Sequence, residues 1–159
     1  DLPIANARFF NVFGPGEVPG KYRNVIPNFM YWAMNKQALP ITGNGSETRD
    51  WTYVDDIIQG LTRLGVVDKA IGESINLGSG KDHRVIDMAN KVNELCDNEA
   101  GIEYKERRDW DAKNKLLSSI DKAKKILKYN PVHTFEEGLE NTHEWFVNNW
   151  DNIQKSAEF

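Results

Sequence analysis

The feature that most constrains the fold is the way short apolar runs alternate along the chain with apolar stripes at helical spacing. The runs 4–13 and 74–77 each lead into a glycine turn, which is typical of strands. Between such runs, apolar residues three or four positions apart predict amphipathic helices. Strands that alternate with helices predict an α/β fold with parallel strand pairs.

Sequence signals also set the expected element boundaries. The run 4–13 should be a buried strand that ends at the turn 14–16, and further extended segments are expected at 39–42, 48–54, 74–77 and 102–105. The apolar stripes of the expected helices are Ile26, Phe29, Met30 and Ala33; Ile57, Ile58, Leu61 and Leu64; Val85, Ala89, Val92 and Cys96; Ile120, Ala123 and Leu127; and Phe135, Leu139, His143, Phe146 and Trp150.

Polar residues and glycines mark where these helices should begin and end. The expected caps or first residues are Asn24, Asp55 or Asp56, Ser119 and Thr134. Thr134 with Glu137 fits a capping box, in which each side chain accepts a hydrogen bond from the other residue's backbone N–H. Gly65 should stop the second helix.

Composition excludes several classes of function. The 159 residues are the length of one domain, the net charge is −4, and Lys and Arg form no dense stretch, so no nucleic-acid partner is expected. Cys96 is the single cysteine, and His83, His133 and His143 lack metal-ligand spacing, so no metal site is expected. His143, between apolar neighbours, is interpreted as a structural histidine.

Nothing in the sequence indicates a membrane or secreted protein. No apolar run approaches the ~18 residues of a membrane span. The first residues lack the basic and apolar regions of a signal peptide, and the chain starts as if within a domain. A cytoplasmic location is therefore expected.

Four segments carry information beyond periodicity: 8–16 (RFFNVFGPG), 41–56 (ITGNGSETRDWTYVDD), 75–80 (INLGSG) and 107–111 (RRDWD), the last continuing into motifs over 119–139. In this order and spacing they resemble the C-terminal half of the extended short-chain dehydrogenase/reductase family. That family contains NAD-dependent nucleotide-sugar epimerases and dehydratases, and the chain is most similar to the UDP-glucose 4-epimerases. The resemblance covers nearly all of residues 1–159.

The resemblance implies a fold and a division of labour. Residues 1–159 would form the substrate-binding lobe together with the last strands of a Rossmann-type parallel sheet. The NAD-binding Rossmann domain is absent, because the chain has no Gly-x-x-Gly-x-x-Gly turn. The family's Tyr-x-x-x-Lys pair is absent as well, so no catalytic residue is assigned and the chain alone is expected to be inactive. NAD is the implied cofactor of the whole protein.

The resemblance also assigns ligand contacts. The implied substrate-binding residues are Asn11, Asn24, Val25, Ile41, Arg49, Arg108 and Asp111. Arg49 and Arg108 would clamp the diphosphate, which suits guanidinium because its planar fork donates bidentate hydrogen bonds. Asp111 would contact the nucleoside or orient an arginine. Phe9 and Val12 would approach the nicotinamide.

The remaining assignments follow the same resemblance. Asn11 would bond the sugar or its phosphate, Asn24 and Val25 would lie near the phosphates, and the strand containing Ile41 would run along the base. Simpler roles stay open: Asn11 bonding its own turn, and Asn24 acting only as an N-cap. Trp51 and Trp110 are interpreted as packing residues rather than platforms for base stacking.

For Arg49 and Arg108, an ion pair with a nearby acidic residue is the alternative to diphosphate binding. Arg49 has three acidic residues close in sequence, Asp50, Asp55 and Asp56, and could form an ion pair with one of them. Arg108 lies among acidic residues and could do the same.

The favoured function is binding of the nucleotide diphosphate as the substrate half of a UDP-sugar 4-epimerase. A dTDP-sugar 4,6-dehydratase and a UDP-glucuronate decarboxylase are the alternatives within the family. A non-enzymatic sugar-nucleotide-binding or interaction module is the alternative of another class. A homodimer or a self-associating chain is expected, because the strands 4–13 and 74–77 would lack neighbours in the sheet.

Overall fold

The computed structural model describes residues 2–107 and 114–159, and it has mixed α/β architecture. The helices are α1 Val25–Met34, α2 Val54–Val66, α3 Val85–Leu95, α4 Asp121–Leu127, α5 Phe135–Asn148 and α6 Trp150–Ser156, with a 3-10 turn at Asp68–Ala70. The strands are β1 Asn6–Phe9, β2 Asn11–Phe13, β3 Leu39–Thr42, β4 Thr48–Arg49, β5 Trp51–Tyr53, β6 Ser74–Leu77, β7 His83–Arg84, β8 Ile102–Lys105 and β9 Lys115–Leu116. The α/β fold class predicted from the alternation is confirmed.

Short parallel pairs dominate the strand topology. β1 pairs with β6, β2 with β5, and β3 with β8, all in parallel. The small β4 is the centre of a three-stranded sheet, with β7 antiparallel on one side and β9 parallel on the other. Parallel pairs require crossover connections, and the helices between the strands supply them.

Two apolar clusters hold these layers together. The larger one packs β2, β3 and β5 against α1, α3 and α5, with Phe13, Phe29 and Phe146 almost completely buried. The smaller one lies between α2, β6 and α4, where Leu77 and Tyr129 are buried.

The apolar run 4–13 differs from its prediction in two ways. It is interrupted at Phe10, so that β1 and β2 join different strands. Only its last residue is buried: Phe13 is 2% exposed, whereas Ile4 and Phe9 are each 51% exposed. Among the described residues β1 pairs with β6 alone, and three of its four residues are exposed.

Several helix ends also differ from prediction. α2 begins at Val54, with Tyr53 at the N-cap position, and continues through Gly65. On α2 the expected face is only partly buried, since Ile58 and Leu61 are exposed.

The remaining ends show which sequence signals were sufficient. Ile120, not Ser119, is the N-cap residue of α4, and Trp150 opens α6 instead of continuing the α5 stripe. The Thr134–Glu137 capping box is confirmed in full. It needs only residues of one helix turn, Thr134 and Glu137.

Candidate functional site

The turn after β2 and the start of α1 enclose a cleft of about 380 Å³. Val12 and Val54 line its apolar side, and residues 14–17 with Arg23 and Asn24 line its polar side. A Cβ atom on Gly14 would lie 2.6 Å from a methyl carbon of Val54, so only glycine fits there. Within this tight turn Gly14 is buried, Pro15 is partly exposed and Gly16 is exposed.

Asn24 stands at the N-cap position of α1, but its side chain does not cap the helix. Its amide nitrogen instead donates a 2.7 Å hydrogen bond to Oε1 of Glu17. Burial raises the pKa of Glu17, and the hydrogen bonds from Asn24 and the nearby charge of Arg23 oppose that rise. Val25, the first residue of the helix, is partly buried beside them. A helix N-terminus with accessible N–H groups suits an anion such as a phosphate.

A second group of implied contacts lies on β3 and β4. Ile41 is 2% exposed in β3, so its side chain belongs to the core and only its backbone remains for a ligand. Arg49 lies in β4 opposite His83 of β7 and Leu116 of β9. It is partly exposed, and its Nη1 donates to the carbonyl of Thr48 at 3.0 Å.

Arg108, Asp111 and Trp110 lie outside the described residues, but the residues that flank them are placed. Arg107 Nη2 donates to Asn114 Oδ1 at 2.6 Å and lies 3.8 Å from Glu47 Oε1. The backbone N–H of Thr48 donates to the carbonyl of Asn114 at 2.9 Å. The described residues on both sides of 108–113 therefore contact the strand that carries Arg49 or the turn just before it.

Asn11 connects the cleft with the strand of Arg49. Its backbone N–H and its side-chain amide both donate to the main-chain carbonyl of Asp50, at 3.2 and 3.4 Å. Asn11 thus bonds across to a neighbouring strand in addition to any role with a ligand. Phe9, at the end of β1, is half exposed, whereas Val12 lines the cleft itself.

Sequence reasoning missed two almost fully buried carboxylates that flank β5 in the sequence. Asp50 is 0% exposed and Asp56 is 2% exposed. Asp56 accepts hydrogen bonds from the backbone N–H groups of Val132 and His133, at 2.9 and 3.2 Å. His133 Nδ1 is also 3.2 Å from Asp56 Oδ1, although without the angle of a hydrogen bond. The one sequence signal for these buried carboxylates was that acidic residues flank the largely apolar segment 51–54 on both sides.

Trp51 is a packing residue, as the sequence predicted. It is 4% exposed and its ring stacks on Phe135 with centroids 5.3 Å apart. His83 stacks on the same Phe135 ring at 4.4 Å. These rings anchor the start of α5 to β5 and β7.

Residues 2–107 and 114–159 contain neither a metal-binding cluster nor a membrane-spanning helix. In that part of the chain, no group of three or more His, Cys, Asp or Glu side chains is arranged to hold a metal ion. Its helices are all too short or too polar to cross a bilayer.

The chain is similar to proteins that process nucleotide sugars. The family model of GDP-mannose 4,6 dehydratase matches residues 1–142. An epimerase structure from Methanothermobacter thermautotrophicus is 69% identical with a TM-score of 0.98, covering 99% of this chain and 47% of that one. The Bordetella bronchiseptica enzyme WbmF in complex with NAD+ and UDP is 34% identical with a TM-score of 0.85, covering 97% of this chain and 49% of that one.

The curated relatives of the chain are also proteins that process nucleotide sugars. A UDP-glucuronate 4-epimerase from Thermodesulfobacterium geofontis is 35% identical over 158 residues, which is 96% of this chain and 46% of the relative. The matched relatives include UDP-sugar epimerases, decarboxylases and dehydratases, and this chain spans about half the length of the epimerase. The chain belongs to the GDP-mannose 4,6 dehydratase family, among the NAD-dependent nucleotide-sugar epimerases and dehydratases of the extended short-chain dehydrogenases/reductases.

Proposed function

We propose that residues 1–159 bind the nucleotide diphosphate of a UDP-sugar, as the substrate half of an NAD-dependent UDP-sugar 4-epimerase. The observation that carries the proposal is the cleft between Val12 and Asn24, bounded by the glycine turn 14–16 and the start of α1. Its polar wall adjoins the anion-favouring end of a helix, and its apolar wall begins at a residue implied to face the cofactor. The sugar would lie between these two walls.

Arg49 supports the diphosphate end of this arrangement. A guanidinium gains most from a diphosphate when a rigid backbone holds it, because less side-chain freedom is lost on binding. β4 is fixed between β7 and β9, so the backbone of Arg49 is held on both edges. Arg108 would supply the second guanidinium, and Asp111 would orient it or contact the nucleoside. Asn11 would bond the sugar or its phosphate from the start of β2.

NAD, when bound, would supply hydride transfer at the sugar. This chain offers contacts only to the nicotinamide part of NAD. The half-exposed Phe9 and the cleft residue Val12 can offer apolar contact to a nicotinamide. The sequence has neither the glycine turn that holds the pyrophosphate nor the Tyr-x-x-x-Lys pair. We therefore assign cofactor binding and proton transfer to a Rossmann domain in the remainder of a longer protein, and substrate anchoring to this chain.

Epimerisation is favoured over the two other family reactions because the 69%-identical structure is described as an epimerase. A 4,6-dehydratase or a UDP-glucuronate decarboxylase is the second candidate, since relatives about one-third identical are described as such. Full-length protein assayed with UDP-glucose and UDP-glucuronate separates the three, because only epimerisation leaves a 4-epimer of the same mass.

The first test uses residues 1–159 purified alone. We expect no stoichiometric NAD by absorbance and no turnover of UDP-glucose or UDP-glucuronate, because the residues that perform the chemistry are elsewhere. Turnover by this chain, or a natural reading frame that starts near Asp1 and lacks the two missing motifs, would instead support a stand-alone module.

The second test concerns Arg49 in the full-length protein. Arg49→Ala should weaken UDP binding by about 1.5–3 kcal/mol, the range for hydrogen bonds to charged groups. Arg108→Ala should have a similar effect, and isothermal titration calorimetry measures both. Lys69→Ala is the control, since Lys69 is an exposed cation on the 3-10 turn at 68–70. Unchanged UDP affinity together with a large loss of thermal stability would show that Arg49 is a structural ion-pair residue.

A further inference from the structure

We propose that Asp50 is a positioning residue, whose buried carboxylate holds the strands bearing the substrate contacts in the geometry that accepts a nucleotide diphosphate. The proposal rests on the proposed function, because it names how that same site is held in shape.

Asp50 makes an unusually complete set of hydrogen bonds. Oδ1 accepts from Ser79 N at 2.9 Å, Ser79 Oγ at 2.6 Å and Thr52 Oγ1 at 3.1 Å. Oδ2 accepts from Gly80 N at 3.1 Å, Ser118 N at 3.2 Å and Ser118 Oγ. The side chain is fully buried, and each oxygen has three donors around it. An ionised carboxylate is an acceptor-only group, which suits such a shell.

These donors come from segments that are far apart in sequence. Thr52 is in β5, Ser79 and Gly80 are in the turn after β6, and Ser118 follows β9. The segments meet in close contact: a Cβ on Gly78 would lie 2.1 Å from Ser118 Oγ and 2.9 Å from Asp50 Oδ2. A shift of any one of these segments would therefore displace the others.

The main chain of Asp50 extends the connection to the site. Its carbonyl accepts both hydrogen bonds from Asn11, and its N–H donates to the carbonyl of Leu116 at 2.8 Å. Arg49 is the preceding residue and pairs with the same Leu116. One residue thus links the strand start at Asn11, the strand of Arg49, and β9, which closely follows residues 108–113.

The charge of the Asp50 carboxylate and its positioning role predict changes of opposite sign in UDP affinity. A negative charge close to Arg49 should by simple Coulomb attraction and repulsion oppose an anionic ligand, so its removal should tighten binding. If Asp50 acts by position, its removal weakens binding instead. Asp50→Asn keeps the shape and turns an acceptor oxygen into an NH2 group that faces N–H and hydroxyl donors. The sign of the change in UDP affinity therefore separates the two effects.

The experiment uses full-length protein and measures UDP affinity by calorimetry, NAD affinity by fluorescence, kcat and KM, and thermal unfolding. We expect Asp50→Asn to raise the Kd for UDP and the KM for the UDP-sugar by about tenfold, with an unchanged Kd for NAD. Asp56→Asn is the matched control: it also removes a buried carboxylate with backbone donors, but those donors, the N–H groups of Val132 and His133, lie outside the strands that carry Asn11 and Arg49. It should lower thermal stability and leave the Kd for UDP unchanged.

Three outcomes would overturn the proposal. They are tighter UDP binding in Asp50→Asn, unchanged binding in a folded Asp50→Asn, and an equal loss of UDP affinity in both variants. If Asp50→Asn does not fold, Ser118→Ala removes one hydroxyl donor, and it should raise the Kd for UDP in the same direction by less; no change would again count against the proposal. Failure of the proposed function looks different, because wild-type protein would then not bind UDP.

Discussion

Buried polar side chains set the local geometry of this molecule. Asp50 and Asp56 each accept hydrogen bonds from backbone N–H groups of loops distant in sequence. Leaving such donors unpaired in the interior costs about 1–3 kcal/mol each, so these carboxylates restrict the loops to one arrangement. Their cost of burial is offset only because the donors are present.

Burial disfavours the charged form of His143. It is partly buried on α5, and burial lowers its pKa because the imidazolium is disfavoured there; the charge of Asp97 opposes the shift weakly. The neutral form thus contributes stability above the unfolded pKa of about 6.5, and that contribution is lost as pH falls through the folded-state pKa. We expect the free energy of unfolding to decline between pH 7 and pH 5, and His143→Gln to reduce the decline.

Urea unfolding at several pH values measures this difference, and an NMR titration gives the pKa of His143 itself. A measured pKa above that of a model histidine would contradict the expectation. It would show that a charge interaction outweighs burial at this position.

At the scale of elements, α5 lies unusually close to the β2–β5 pair. A Cβ on Gly138 would lie 2.7 Å from the Phe13 ring and 3.0 Å from the Tyr53 ring. Those rings pack edge to face with centroids 5.9 Å apart, so they have little room to move. The helix can approach the strands this closely only because position 138 has no side chain.

Gly138→Ala should therefore destabilise the protein by about 1–3 kcal/mol, the usual cost of overpacking a core. Gly65→Ala is the matched control within α2, since no described atom beyond the adjoining residues and backbone of its own helix lies within 4 Å of the added methyl. Alanine is the better helix former, so that variant should gain about 0.5–1 kcal/mol. Chemical denaturation compares both with wild type, and an equal response of the two glycines would refute the close-packing argument.

At the scale of the whole molecule, the surface around β1 is incompletely covered. Leu2 is 79% exposed, and Ile4 and Phe9 are each 51% exposed. Among the described residues β1 has one strand partner, so its other edge presents unpaired backbone groups. Exposed edges with apolar side chains favour pairing with another chain.

We therefore expect residues 1–159 alone to self-associate at micromolar concentration. Ile4→Lys and Phe9→Lys should shift the chain toward monomer, because charge on an edge opposes strand pairing. Val66→Lys, at the exposed end of α2, is the control and should change nothing. Analytical ultracentrifugation measures the mass, and a wild-type chain that is monomeric throughout would contradict the prediction.

Residues close together in sequence were the ones whose structure could be predicted. The alternation of apolar runs and stripes predicted the α/β class. Both hydrogen bonds of the Thr134–Glu137 capping box were predicted correctly, because the two partners lie within one turn. Motif order across 8–139 was enough to identify the family, whose model matches residues 1–142.

Tertiary structure alone decided the rest. The sequence does not show that the run 4–13 divides between two strand partners, that the Ile41 side chain belongs to the core, or that Asn24 bonds Glu17 instead of capping α1. Nor does it show that Asp50 gathers its donors from 52, 79–80 and 118. Periodicity reports which face of an element is apolar, whereas these features depend on which distant backbone N–H or side chain arrives beside a given atom, and only the packed chain determines that.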